Sequence, residues 1–164
     1  MVVVALVVAA AGLVLLHRAY RTAEIALSGL VLNALGGVLG SGDGVVVVAA
    51  RQTVYFGLGS DTPLGLRMTP ECTSAFLVLP LLLVGAVMIA LRPRITRKVL
   101  TALAVATAAV VVVNQLRVLT LVGLVEALGV DTGYYWGHTL LGSMVSVFGG
   151  AAALVAFVRL ATRG

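Results

Sequence analysis

Cys72 is the only cysteine among 164 residues and the one soft nucleophile the chain offers. It lies in Thr69-Pro70-Glu71-Cys72-Thr73-Ser74, where a polar segment gives way to an uncharged apolar run from Ala75 to Leu91. Thr69 as N-cap, Pro70 at the first helical position and Glu71 in the first turn predict a helix start. Cys72 would share that turn, where unpaired N–H groups and the positive end of the helix dipole favour a thiolate. A thiolate attacks a carbonyl to give a thioester. His138 is of the type that takes the thiol proton and returns it to a leaving amine, and Arg117 of the type that holds an oxyanion. Asn114 precedes Arg117 by three residues, on the same helical face, and is a candidate to orient it or to donate a further hydrogen bond. Thr73, next to the nucleophile, is the other supporting candidate. Each residue also has a plainer role: a lone cysteine packs as a small hydrophobe, an arginine near a helix end snorkels, and a histidine beside aromatics sits at an interface.

What must position these residues is a membrane protein. The chain is 61% hydrophobic and 10% charged, with mean hydropathy +1.16, which is not a soluble composition. Uncharged runs approaching twenty residues recur, as bilayer crossing requires. The expected fold is one all-α domain over residues 1–164, a polytopic helical bundle of about five spans. A re-entrant or interfacial helix and a short extracytoplasmic β-hairpin complete it. The net charge of +5 comes from basic residues at helix ends, which suits the positive-inside rule better than nucleic-acid binding. One cysteine excludes an internal disulfide and a structural zinc site.

The expected spans are Val2–Leu16, read as a retained span, since no basic segment precedes it, or as one cut short, then Ile25–Gly40, Thr73–Leu91, Val99–Leu116 and Leu140–Val158. His17, Arg18, Arg21 and Glu24 form a polar break after the first, and Ser41-Gly42-Asp43-Gly44 ends the second. Val45–Val48 and Thr53–Phe56, around Ala49-Ala50-Arg51-Gln52, predict the hairpin, followed by a loop with Gly57, Gly59, Asp61, Pro63 and Gly65. Val118–Asp131 is the re-entrant or interfacial stretch, and the aromatics within Thr132–His138 belong at headgroup level. Gly142, Gly149 and Gly150 allow close helix approach in the last span. Arg92-Pro93-Arg94-Ile95-Thr96-Arg97-Lys98 holds four basic residues and no acid, so it is assigned to the cytoplasm, with Arg159 and Arg163. Cys72 then begins an inward helix, Arg117 ends the helix returning outward and His138 begins the final inward one. All three reach the outer face, whereas His17 faces the other side and is structural.

On these residues the chain resembles the exosortase/archaeosortase family of integral-membrane cysteine transpeptidases. The resemblance lies in Glu71-Cys72-Thr73-Ser74 after a short outer β segment, Asn114-x-x-Arg117 at an outer helix end, His138 before the last span, and Arg21-x-x-Glu24 leading into an Ala/Gly/Leu span. It covers residues 18–158. It implies Cys72 as nucleophile, His138 as acid/base and Arg117 as the oxyanion or substrate-positioning residue, without metal or organic cofactor. It also implies the partners: secreted proteins whose C-terminal sorting tail comprises a short motif, a membrane helix and a basic cluster. These are cut at the outer face of the cell membrane and passed to an amine or other acceptor, such as a membrane lipid. Thr73-Ser74 stands where many members have Ser-Gly or Thr-Gly, and many members are longer. The competing readings are a plain membrane protease and a non-catalytic helical membrane subunit or scaffold.

Overall fold

A computed structural model of the protein describes residues 1–39, 45–56, 64–69 and 72–162. Its longest element is α4, Thr96–Leu128. At 33 residues it is about 50 Å long, well beyond the roughly 30 Å of a hydrocarbon core. The expected span Val99–Leu116 and the separate stretch expected after it are therefore one helix as far as Leu128. Polar Asn114, Gln115 and Arg117 interrupt hydropathy, but none of them breaks a helix. The stop comes at Gly129, whose φ of 81° suits a residue without a Cβ.

Ahead of α4 run α1 (Val2–Leu15), α2 (His17–Leu39) and α3 (Ala75–Leu91, with Pro80 inside it). After it come α5 (Val130–Tyr134), a π-helical turn over Tyr135–Leu141, and α6 (Gly142–Thr162). Two helical runs are long and apolar enough to cross a membrane, Pro93–Leu128 and Val130–Thr162. A third crossing arises if α1 and α2, bent 79° to each other, count as one span; α3 is apolar but shorter. Five separate spans are not seen among the described residues. The expected second span is the clearest departure. Ile25 and Leu32 of α2 pack with Val54, Met68, Val118 and Val122, so its apolar face meets a sheet and the far end of α4.

A second core holds the helices together. Val78, Leu81, Ala86 and Ile89 of α3 pack with Val99, Leu103, Ala106 and Val110 of α4, Phe157 of α6 and Leu6 of α1. The outside of this bundle is also apolar: Val4, Val8, Leu83, Val87, Val105, Val112, Val147 and Phe148 are all exposed. Helices apolar on every face, in a bundle this thin, suit lipid as solvent.

The hairpin forms where expected, as β1 (Val46–Val48) and β2 (Thr53–Phe56) joined by a 3-10 turn at Ala49–Arg51. A third strand, β3 (Leu64–Arg67), adds to it antiparallel, with Thr53 opposite Arg67 and Phe56 opposite Leu64. Gly65 is thus in a strand and not in the expected loop. A Cβ there would stand 2.8 Å from the ring of Tyr55, so the aromatic occupies the space a side chain would need. Gly57, Gly59, Asp61 and Pro63, like 41–44, lie outside the described residues.

Candidate active site

Cys72, Arg117 and His138 come from three separate elements and meet. Cys72 Sγ lies 3.2 Å from His138 Nε2, and Arg117 Nη2 donates to the same sulfur at 3.7 Å. Thr69 Oγ1 donates to it as well, at 3.3 Å. The sulfur thus has an imidazole nitrogen and a guanidinium both within reach. The imidazole is stacked on the Tyr134 ring, with centroids 4.9 Å apart and planes 11° from parallel. Arg117 Nη1 donates to Ser146 Oγ at 3.0 Å, and that hydroxyl donates to the Gly142 carbonyl at 2.9 Å. One edge of the guanidinium is thereby held by α6 while the other faces the sulfur.

None of the three stands at the helix end expected of it. Helix α3 begins at Ala75 with Ser74 at the N-cap position, so Cys72 precedes the helix. It sits in a turn closed by its own N–H on the Thr69 carbonyl at 3.0 Å. Pro70 and Glu71 lie outside the described residues. Thr69 therefore acts on the thiol as a donor, and not as the cap of α3. Arg117 is mid-helix, and His138 is in the π-helical turn.

Convergence depends on how the chain returns after Gly129. A Cβ at Gly133 would come 2.3 Å from the Leu124 carbonyl oxygen and 2.6 Å from Val125 Cα, so α5 lies backbone to backbone on the last turns of α4. A Cβ at Gly142 would lie 2.8 Å from Arg117 Nε. The π-helical turn between these contacts adds a residue to the helical repeat and brings His138 round to Cys72.

The other side of the site hangs on Glu24, which is 5% exposed. Its carboxylate accepts from Thr73 Oγ1, from the Ser74 N–H at 3.1 Å and from Asn114 Nδ2 at 3.1 Å. Both supporting candidates, Thr73 and Asn114, thus serve Glu24. Asn114 does not orient Arg117; Ser146 does. Tyr20 OH shares a hydrogen bond of 2.6 Å with Ser74 Oγ, and Arg21 Nη1 donates to the Met68 carbonyl at 3.5 Å. The α2 start therefore lies at the Cys72 end of the molecule. His17, which borders Thr73 and Phe76, is on this side and not on the opposite one. The chain bends by 79° after α1, so α2 does not run back alongside it. The available signal for Glu24 was a single acid at the edge of an apolar run, which must find donors if it is buried.

A cavity of about 20 Å³, roughly the room one water needs, adjoins the sulfur and is walled by Ile25, Val54, Leu66, Met68, Val118 and Leu121. Among the described residues, no three His, Cys, Asp or Glu side chains gather as metal ligands would. The arrangement offers a nucleophile, a proton carrier in contact with it and a fixed cation, the parts acyl transfer uses. No protein-family model, curated protein or solved structure matches the chain.

Proposed function

We propose that the chain is a membrane cysteine transpeptidase or peptidase, similar to the exosortase/archaeosortase family. It removes the C-terminal sorting tail of secreted proteins and passes the remaining acyl group to an acceptor. The observation that carries this reading is the 3.2 Å contact of Cys72 with His138, with Arg117 on the same sulfur. Cys72 Sγ attacks the scissile carbonyl while His138 Nε2 holds the thiol proton. Arg117 stabilises the tetrahedral oxyanion. The C–N bond breaks as His138 protonates the leaving amine, and a thioester remains on Cys72. An acceptor amine, or water, then gives its proton to His138 and attacks the thioester, and the thiol is reformed with that proton.

The membrane frame supports this chemistry at the outer face. The basic stretch Arg92–Lys98 belongs on the cytoplasmic side. From there the 17 residues of α3 lead back toward Cys72 over about 26 Å, close to one hydrocarbon thickness. Arg117 lies twenty-one residues along α4 from Thr96, about 32 Å away. Helices α1, α3, α4 and α6 then cross the bilayer, and α2, the sheet and the last turns of α4 form an outer cap. An apolar groove between α3 and α6, lined by Leu77, Pro80, Gly150 and Ala151, starts at Ser146 beside Arg117 and suits the membrane helix of a sorting tail.

The test follows a tail-bearing secreted protein produced with the wild-type chain, Cys72→Ala or Cys72→Ser. Tail loss only with Cys72 intact, through a hydroxylamine-sensitive species on the enzyme, is the expected result. Equal processing in all three would overturn the proposal.

A further inference from the structure

A second concavity at the Cys72 end, about 760 Å³, is lined by His17, Arg18, Arg21, Arg51, Gln52 and Arg67, and no acidic residue lines it among the described residues. Three elements build it. Arg18 and Arg21 are one turn apart at the start of α2, Arg51 closes the 3-10 turn of the hairpin, and Arg67 ends β3. Gln52 locks them together. In a left-handed conformation at φ 52°, it donates from Nε2 to the Arg18 carbonyl at 3.1 Å, while its own carbonyl accepts from the Met68 N–H at 2.9 Å. Arg18, Arg51 and Arg67 are exposed; Arg21 is buried, and its Nε finds no acceptor among the described residues. Four guanidinium groups facing one hollow repel one another unless an anion joins them. They also lie at the end of the molecule opposite Arg92–Lys98, on the side where basic residues are not expected.

The hollow has an apolar neighbour. A groove of about 270 Å³ between α1 and α3, walled by Leu13, Val14, Phe76 and Leu79, shares His17 and Arg21 with the basic hollow. His17 directly follows the apolar run of α1, so the hollow lies where a helix leaves hydrocarbon for the headgroup layer. A cationic hollow at headgroup depth, opening into an apolar trough, matches one kind of ligand: a phosphate-bearing head with a hydrocarbon chain.

We propose that the Arg18–Arg21–Arg51–Arg67 hollow binds the phosphate headgroup of an anionic lipid whose chain lies in the α1–α3 groove. The site is independent of whether Cys72 is a nucleophile. The test uses the full chain in detergent, titrated with phosphatidylglycerol or phosphatidylcholine and read by native mass spectrometry. Phosphatidylglycerol is expected to bind in preference. Arg18→Gln with Arg51→Gln should weaken it about thirtyfold, and Arg51→Gln alone about fivefold should the double variant not fold. The charge-matched pair Arg92→Gln with Arg94→Gln should leave binding unchanged, and inorganic phosphate at the lipid's concentration should not displace it. Equal loss in the two double variants would reduce the effect to net charge and overturn the proposal. So would equal binding of phosphatidylcholine. Displacement by inorganic phosphate would make this a soluble-anion site, also against the proposal.

Discussion

Glu24 shows how the placement of Cys72 depends on hydrogen bonds made to its neighbours. Its carboxylate collects donors from the turn after Cys72 and from α4, one helical turn before Arg117. Glu24→Ala leaves buried donors at Thr73, Ser74 and Asn114 without their acceptor, at about 1–3 kcal/mol each. It should lower the melting temperature sharply and slow alkylation of Cys72. Glu24→Gln keeps one carbonyl acceptor, and its amide can donate to the Thr73 oxygen, so about 1 kcal/mol is the expected loss. Melting curves of the two variants in detergent check the order; equal loss would mean that the hydrogen bonds do not hold this corner. Cys72 and His138 were legible in the sequence as rare types beside apolar runs, and Arg117 as the single charge between Lys98 and Glu126. The role of Glu24 was not, since its partners lie 49, 50 and 90 residues away and only folding unites them.

At the scale of elements, the seam between α4 and the returning α5 decides whether His138 reaches the sulfur. Gly133→Ala would drive a methyl to within 2.3 Å of the Leu124 carbonyl oxygen, so α5 must lift from α4. The expected cost is about 2 kcal/mol, with slower Cys72 alkylation because His138 moves away. Gly123, on α4, is a fair control: nothing lies within 4 Å of a Cβ there. Gly123→Ala should be neutral, or stabilise by up to about 1 kcal/mol through helix propensity. Thermal melts of the two variants make the comparison, and identical shifts would dismiss the close approach. Uncharged apolar runs located α3, α6 and the first part of α4, because helices apolar on every face advertise themselves in hydropathy. The same signal failed for α2, since an apolar face is written alike whether it meets lipid or a protein sheet. It failed at Arg117 too, where hydropathy ends and the helix continues. The third strand was hidden by Gly65, whose missing side chain is replaced in space by the Tyr55 ring.

The whole molecule is a thin apolar bundle capped at one end by α2, the sheet and the tip of α4, with Cys72, Arg117 and His138 at the junction of the two cores. Single cysteines in a Cys72→Ala background test the orientation. Arg51→Cys, in the exposed hairpin turn, should react with an impermeant maleimide on intact cells, whereas Arg94→Cys should react only after lysis. The reverse pattern would invert the topology and put the site in the cytoplasm.

The proposed function requires that Cys72, paired with His138, be reactive and accessible from outside the cell. The most direct measurement is the rate at which an impermeant thiol reagent labels Cys72 on intact cells, compared with His138→Ala across neutral pH. Rapid labelling of the wild type is expected, with a rate lower by about tenfold in His138→Ala, which has no imidazole to take the thiol proton. A thiol that stays unlabelled from outside, or reacts equally fast in both proteins, would contradict it and leave Cys72 a packing residue.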